Sequence, residues 1–324
     1  MASNVSIKTD STVAKKLPTE PIVVKQKWNL KRNWPLHVLM LPAIILALIF
    51  NYAPLPGITM AFMDFKPYLG FAESEWAGLD QFRRMIQFED SRQVIWNTLI
   101  IASLKILFHI IIPIVFALLL NEVRKMAFKR TIQTFVYLPH FLSWVILGGI
   151  MLDMLSVDGG IVNIMLGKLF GTEPIFFLGD GDWFRFTVIA SDVWKDFGFG
   201  AVIFLAALSG INPDLYEAAT IDGANRWHQV LFITLPSLLP ITVVVATLAL
   251  GNILNAGFDQ IFNLYNPLVY EKGDIIDTYV YRMGLLGGEF SFATAVGLFK
   301  SIVGMILIVT SYRLAYKFAG YRIF

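Results

Sequence analysis

The sequence predicts an all-α integral membrane protein that crosses the bilayer six times. The chain has 324 residues, of which 56% are hydrophobic and only 15% are charged, against roughly 25% charged residues in soluble domains. A helix needs about 20 apolar residues to cross the hydrocarbon core. Runs of that length occupy residues 36–60, 95–120, 131–155, 184–208, 237–258 and 292–316.

Polar residues and prolines interrupt some of these spans. The fourth span has the weakest signal because it contains Asp192, Lys195 and Asp196. Proline cannot donate the helical hydrogen bond, so a proline within a span kinks or ends the helix. The prolines expected to do so are Pro42, Pro54, Pro56 and Pro139.

The distribution of Lys and Arg predicts the orientation in the membrane. Short loops rich in these residues stay in the cytoplasm, and they concentrate in residues 1–33, in the loop 121–130 and in the carboxyl-terminal tail. Both termini are therefore predicted to be cytoplasmic. We expect a flexible arm at 1–33, which lacks the apolar core of a cleavable signal, and a six-helix membrane domain at 34–324. A net charge of +2 gives no reason to expect a nucleic-acid partner.

The chain lacks recognisable catalytic motifs. Gly167-Lys168 is followed by Leu169 rather than by the Ser or Thr of a phosphate-binding loop, and no nucleophile elbow occurs. The histidines, His37, His109, His140 and His228, are scattered, and there is no cysteine. We therefore expect no catalytic residue, metal site or cofactor on this chain.

The loop at 210–236 is predicted to form two short helices joined by a turn. Asn212 can cap a helix that runs to about Ile221. Asp222-Gly223 then ends it, since glycine adopts a left-handed conformation readily, and Arg226 begins a second short helix. Such a rigid element suits a lever moved by a cytosolic partner, although a structured linker would have the same pattern.

The same loop resembles a known signature. Its residues are Glu217-Ala218-Ala219 and Asp222-Gly223-Ala224, followed by Ile233, Leu235 and Pro236. This resembles the EAA motif in membrane subunits of ATP-binding-cassette (ABC) importers, and "NTLIIASLKILF" and "YLPHFLSWVILGGI" resemble the carbohydrate-importer branch. The resemblance implies the transmembrane domain of a type I importer in the bacterial cytoplasmic (inner) membrane. It also implies a second permease subunit, either a similar non-identical chain or an identical one, two ATPase subunits that hold ATP and Mg, an extracytoplasmic solute-binding protein and an oligosaccharide cargo.

The resemblance further implies that the cytoplasmic loop contains coupling helices that dock into the ATPase. The residues implied in that contact are Glu217, Ala218, Ala219, Asp222, Gly223 and Arg226. In this interpretation the glutamate pairs with a basic residue, the alanines allow close approach, the glycine supplies the turn, and the other two residues lie at the rim.

Polar groups inside the spans predict a path for cargo, because an ionisable side chain in hydrocarbon usually faces a cavity or a partner. Lys105, Lys195 and Lys300 are all expected at one depth, roughly 12 to 16 Å from the external end at about 1.5 Å per residue. Three cations at one depth favour an anionic cargo, such as a uronic-acid oligosaccharide of the alginate type.

The fourth and fifth spans extend this predicted path. In the fifth span three polar residues have the spacing of one helical face. The full predicted set is Lys105, Asp192, Trp194, Lys195, Asn252, Asn255, Asp259 and Lys300.

The residues leave other interpretations open. Asp192 could instead pair with Lys195 while the asparagines bridge helices. A different class of function is an ion-driven secondary transporter with Asp192, Lys195 and Asp196 as coupling residues. A third is a membrane assembly protein that transports nothing.

Overall fold

The protein is seen in a computed structural model that describes residues 30–319. The described residues divide into two compact units, 30–56 and 57–319. In the first unit, helix α1 (Leu30–Ala47) continues into the π-helical turn Leu48–Tyr52. Most of the arm predicted at 1–33 lies outside the described residues, but helix α1 already includes its last few residues.

The second unit is almost entirely helical within the described residues. Its helices are α2 (Gly70–Glu73), α3 (Asp80–Gln87), α4 (Glu89–Asn121), α5 (Met126–Tyr137), α6 (Trp144–Met154), α7 (Ile161–Phe170), α8 (Gly181–Ser209), α9 (Pro213–Ile221), α10 (Arg226–Gln229), α11 (Leu235–Gly251), α12 (Phe258–Leu264), α13 (Tyr270–Gly273), α14 (Ile276–Val280) and α15 (Phe290–Ala319). Strands β1 (Met63–Asp64) and β2 (Glu75–Trp76) form one short antiparallel pair.

The apolar helices account for the predicted membrane crossings. Four segments are long and apolar enough to cross a membrane alone: Trp34–Phe62, Glu89–Asn121, Arg226–Gly251 and Phe290–Arg313. Two bent pairs, α5 with α6 and α8 with α9, pass the same test when taken together, so the number of candidate crossings is four to six. The predicted all-helical membrane fold is confirmed.

The third span is broken rather than straight. Its two halves meet at an angle of 100°, and the 3-10 turn Leu138–Phe141, which contains Pro139, lies between them. The Ser143 side chain caps the second half by accepting a hydrogen bond from the Ile146 amide at 3.4 Å. Such non-helical backbone needs polar partners at membrane depth, and α8 supplies them.

The fifth span ends earlier than the sequence predicts. The expected limit was Phe258, but α11 ends at Gly251, and residues 252–257 form a non-helical connection before α12. Gly257 has φ of +97°, a left-handed backbone conformation that L-residues rarely adopt.

The interior of the bundle is centred on α4 and α8. An apolar cluster including Ile101, Phe184 and Val188 fills one end of the contact between these helices. Close helix contacts in membranes depend on small residues. Lipid tails are as apolar as the side chains, so the hydrophobic effect does not bring the helices together and close packing has to do so. Gly198 of α8 is one of these small residues: a Cβ atom there would lie 2.4 Å from Cγ1 of Val136. The broken third span therefore packs directly against α8.

Candidate functional site

In the helix–turn–helix at 210–236, the first helix and the turn are as predicted, whereas α10 continues through the π-helical turn Val230–Thr234 directly into α11. The Asn212 side chain accepts a hydrogen bond from the Asp214 amide at 3.1 Å and caps α9. Helix α9 ends at Ile221, and Gly223 follows with φ of +82°. The turn therefore uses the left-handed conformation expected for this glycine.

This element presents an acidic and apolar surface to its surroundings. Glu217, Ala218 and Asp222 are exposed, and Ile221 and Trp227 are 86% and 68% exposed. An apolar surface beside an acidic group is typical of a protein contact. Glu217 has no hydrogen bond or ion pair among the described residues, so its carboxylate is available to a partner.

The two short helices are braced within the chain. Tyr216 and Thr234 share a hydrogen bond of 3.0 Å between their hydroxyls, and the Gln229 amide donates to the Thr220 hydroxyl at 3.0 Å. Arg226, expected at the rim of a partner's groove, forms an ion pair with Glu122 at the end of α4. Sequence reasoning missed Glu122, since it lies in a loop identified only by its basic residues.

A second polar centre lies inside the bundle between α4 and α8. The Lys105 ammonium lies 3.3 Å from the Asp192 carboxylate, and Nε2 of His109 lies 2.9 Å from its other oxygen. Lys105 also donates to the Ala256 carbonyl at 2.8 Å and to Oε1 of Gln260 at 2.5 Å. This lysine thus joins α4, α8 and the connection that follows α11.

Lys195 belongs to a neighbouring set of contacts. Its ammonium donates to the His140 carbonyl at 2.9 Å and lies 3.5 Å from the Asp196 carboxylate. Nδ1 of His140 lies 2.8 Å from the same carboxylate, and the His140 ring stacks on Phe199. Pairing between Asp192 and Lys195, the alternative considered from the sequence, does not occur.

The polar residues of the fifth span do not form one helical face. Asn252 and Asn255 lie in the connection after α11, and Asp259 lies on α12, so the predicted helical spacing is wrong for these three. Asn252 and Asn255 nevertheless remain together, with 3.4 Å between Nδ2 of Asn255 and Oδ1 of Asn252. Both line two cavities of about 340 and 420 Å³.

Lys300 lines the larger of these two cavities beside the asparagines. Its ammonium lies 2.5 Å from the Asp277 carboxylate. Each of the three lysines therefore contacts a carboxylate, so they do not form the set of uncompensated cations that the sequence suggested. Lys105 and Lys195 are each less than 9% exposed, whereas Lys300 is partly exposed.

Trp194 lies apart from the other candidate residues. It lines an apolar groove of about 610 Å³ between α4 and α8, together with Leu104, Phe108 and Val193. Neither asparagine lines this groove, and the three lysines do not line it either. The fourth span thus separates Trp194 from the cavities that contain the candidate cargo groups.

Within residues 30–319, one group of side chains has ligand atoms close enough together to hold a metal ion. Ligand atoms of His109, Asp192 and Asp196 lie within 4.8 Å of one another. The Lys105 ammonium already contacts Asp192 and the Lys195 ammonium already contacts Asp196. Both carboxylates therefore already have positively charged partners within the chain.

The segment between α11 and α15 has its own buried ion pair. Asp274 is 1% exposed, and its carboxylate lies 2.5 Å from the Arg282 guanidinium and 2.6 Å from the Thr278 hydroxyl. Burial raises the pKa of Asp274, while the hydroxyl and the guanidinium oppose that rise. Burial also raises the pKa of Tyr265 to about 12, with further contributions from Tyr270 and Asp274.

Together the membrane helices, the internal polar cavities and the exposed helix–turn–helix define a transport subunit of a membrane complex. Residues 109–319 match the family described as "Binding-protein-dependent transport system inner membrane component", and the chain belongs to that family. Members of this family are permease subunits and are not themselves enzymes. The resemblance found in the EAA motif is thereby confirmed.

Curated relatives and solved structures agree with this assignment. The chain is 46% identical to protein LplB of Bacillus subtilis over 89% of the chain and 91% of that protein. It is 41% identical to the polygalacturonan/rhamnogalacturonan transport system permease protein YteP of the same organism, over 95% of each. The crystal structure of a bacterial ABC transporter involved in import of the acidic polysaccharide alginate contains a chain with 40% identity and a TM-score of 0.80. That match covers 89% of this chain and 97% of the other.

Proposed function

We propose that this chain is one of two permease subunits of an ATP-driven importer of anionic oligosaccharides. The observation that carries the proposal is the exposed helix–turn–helix at 210–236, in which Glu217 is unpaired within the described residues and Gly223 forms a left-handed turn. ATP and Mg would be held by two ATPase subunits that dock on this element. The second permease subunit would be a similar but non-identical chain.

The coupling surface would transmit the work of ATP hydrolysis. Helices α9 and α10 are braced to each other, and Arg226 links them to Glu122 at the end of α4. Because α4 is one continuous helix from Glu89 to Asn121, movement at the coupling surface would reach the polar centre within the bundle. Closure of the two ATPases would then open the path outward to a loaded binding protein.

Orientation is part of the same proposal. Both termini and the 210–236 element would face the cytoplasm, in keeping with the excess of Lys and Arg in residues 1–33, in the loop 121–130 and in the tail. The two exposed asparagines would lie on the path that the cargo follows from the external side.

An anionic cargo is favoured by two independent observations. Lys300 lines a cavity with Asn252 and Asn255, where a cation beside amide groups suits a uronate carboxylate and its neighbouring hydroxyls. A bacterial alginate ABC transporter, one chain of which is 41% identical to this chain, has been solved in complex with an alginate pentasaccharide-bound periplasmic protein. A uronate carboxylate would compete with Asp277 for the Lys300 ammonium.

Reconstitution into proteoliposomes tests the proposed class of function. The chain, its second permease, the ATPase and the binding protein should import alginate tetrasaccharide only when ATP is supplied. Import by the chain alone, driven by an ion gradient, would instead identify a secondary transporter. Absence of flux with every component present would identify an assembly protein.

Substitution of Lys300 tests the proposed class of cargo. In Lys300→Met the import of alginate tetrasaccharide should fall about tenfold or more, because a hydrogen bond to a charged group contributes roughly 1.5–3 kcal/mol. Import of the carboxyl-reduced, neutral tetrasaccharide should change little. The matched control is Lys168→Met, which removes a lysine in the last turn of α7, away from both cavities. Equal losses for both sugars in Lys300→Met would contradict an anionic cargo.

A further inference from the structure

Lys105 lies at the meeting point of three parts of the bundle. It is only 6% exposed, and its ammonium contacts the Ala256 carbonyl at 2.8 Å, Oε1 of Gln260 at 2.5 Å and Oδ1 of Asp192 at 3.3 Å. The first two acceptors belong to the connection after α11 and to α12, while Asp192 belongs to α8. A single side chain from α4 therefore links all of these elements.

These contacts are two hydrogen bonds and one ion pair. An ammonium has three N–H donors and no acceptor, and here three acceptors surround it. A buried charge is tolerated when it is both paired and hydrogen-bonded, and both conditions are satisfied within the chain. Its hydrogen bonds to Ala256 and Gln260 and its ion pair with Asp192 all lie within the chain, although the lysine borders the cavity that contains Asn252 and Asn255.

Gln260 holds the same junction from its other side. This side chain is fully buried, and its amide donates to the Val188 carbonyl at 2.7 Å and to the Ser191 hydroxyl at 2.8 Å. Its oxygen accepts from Lys105. The start of α12 is thereby fastened to α8 and to α4.

The absence of a side chain at Gly257 is also required by the position of Lys105. It adopts φ of +97°, and a Cβ atom there would lie 2.9 Å from the Lys105 ammonium. The non-helical path of residues 252–257 and the position of the lysine therefore depend on each other. This path is what places Asn252 and Asn255 at the two cavities rather than on a continuous helix.

We propose that Lys105 is a positioning residue, which holds the 252–257 connection so that Asn252 and Asn255 face the cargo. This inference rests on the proposed function, since the asparagines are the candidate cargo groups. Lys105 itself makes no contact with cargo. It differs in this respect from Lys300, whose partly exposed ammonium lines the cavity beside the asparagines.

A nitroxide probe measures the positioning directly, because the chain has no cysteine of its own. Asn255→Cys is labelled in the purified complex, and its electron paramagnetic resonance spectrum is compared with and without Lys105→Met. The inference predicts a clearly more mobile spectrum in Lys105→Met. A label at Ser301→Cys, which lines the same cavity on α15, should give the same spectrum in both backgrounds. An unchanged spectrum at position 255 would overturn the inference.

A double variant separates positioning from simple charge balance. Lys105→Met leaves the partly buried Asp192 carboxylate without its lysine, which alone could lower the yield of folded complex. Asp192→Asn in the same chain removes that charge and should restore the yield. Import of alginate tetrasaccharide should still be lower by about tenfold or more, because the contact with Ala256 is still missing. Full recovery of import in the double variant would show that Lys105 only neutralises Asp192.

Failure of this inference can be distinguished from failure of the proposed function. If the unsubstituted complex imports no oligosaccharide, the proposed function fails, yet the nitroxide spectra still report whether Lys105 orders residue 255. If import is normal in the unsubstituted complex and the label is equally mobile in both backgrounds, only the positioning role fails.

Discussion

Replacing Gly223 with alanine tests whether the turn between α9 and α10 transmits work. The glycine has φ of +82°, and no atom lies within 4 Å of the place where a Cβ would stand. The cost of Gly223→Ala is therefore conformational and not steric. A left-handed conformation costs an L-residue roughly 1–2 kcal/mol. Alanine also restricts the unfolded chain more than glycine does, which stabilises the folded state by about 0.4–1 kcal/mol. The net loss of stability should therefore be roughly 1 kcal/mol.

Such a loss is small for the whole complex but large for one turn. About 1 kcal/mol changes a population ratio roughly fivefold, so non-native conformations of the turn should be about five times more populated than in the unsubstituted chain. We expect the number of oligosaccharides imported per ATP hydrolysed to fall by up to about fivefold. The assay measures uptake and phosphate release together in proteoliposomes containing the permeases, the ATPase and the binding protein.

Gly210→Ala is the matched control for this experiment. Gly210 lies at the end of α8 with φ of −90°, and a Cβ there would have ordinary contact with the Ala207 carbonyl at 3.4 Å. This change should leave coupling intact and alter stability by less than about 1 kcal/mol. Equal coupling in Gly223→Ala and Gly210→Ala would refute the reasoning.

Further predictions concern packing and titration in the second unit. Gly198→Ala should lower the free energy of unfolding by about 1–3 kcal/mol, measured by thermal unfolding, because the new methyl group would clash with Val136. Arg282→Met should lower it by about 3–5 kcal/mol near neutral pH, because it leaves Asp274 buried without its partner. Since burial raises the folded-state pKa of Asp274, this loss should grow as the pH rises through that pKa and shrink at lower pH. Tyr265 should ionise at about pH 12 rather than about pH 10, as measured by the absorbance that Tyr265→Phe removes.

Each of these predictions has a control or a contradicting result. Gly200→Ala adds a methyl group two residues further along the same helix at an ordinary 3.4 Å from Pro113, and should cost much less than Gly198→Ala. Arg83→Met breaks an exposed ion pair and should cost at most about 1 kcal/mol. An equal effect of Arg83→Met and Arg282→Met would contradict the role of burial. Loss of a phenolate signal near pH 10 in Tyr265→Phe would contradict a raised pKa.

Local signals in the sequence were sufficient to predict the coupling element. Asn212 as a cap, Pro213 in the first turn and Gly223 at the turn act within a few residues of one another, so the chain needs no distant contact to begin and end α9. The apolar runs predicted the membrane helices for a similar reason, since length and composition decide whether a helix can cross the bilayer.

The partners of the buried lysines could not be predicted in this way. Lys105 contacts Ala256 and Gln260, which lie 151 and 155 residues further along the sequence. No local pattern links positions so far apart. The fifth span was extended too far because residues 252–257 are mostly apolar or small, and the left-handed Gly257 depends on the packing around Lys105. Tertiary contacts decided both features.

The affinity of the ATPase for a complex containing Glu217→Lys tests the central claim most directly. Glu217 is exposed and has no partner among the described residues, so its reversal should leave the fold of this chain unchanged. The control, Glu173→Lys, reverses another exposed glutamate, just after α7. The account predicts at least about a tenfold weaker affinity in Glu217→Lys and an unchanged affinity in Glu173→Lys. Equal affinities for both variants would contradict docking of the ATPase at this surface.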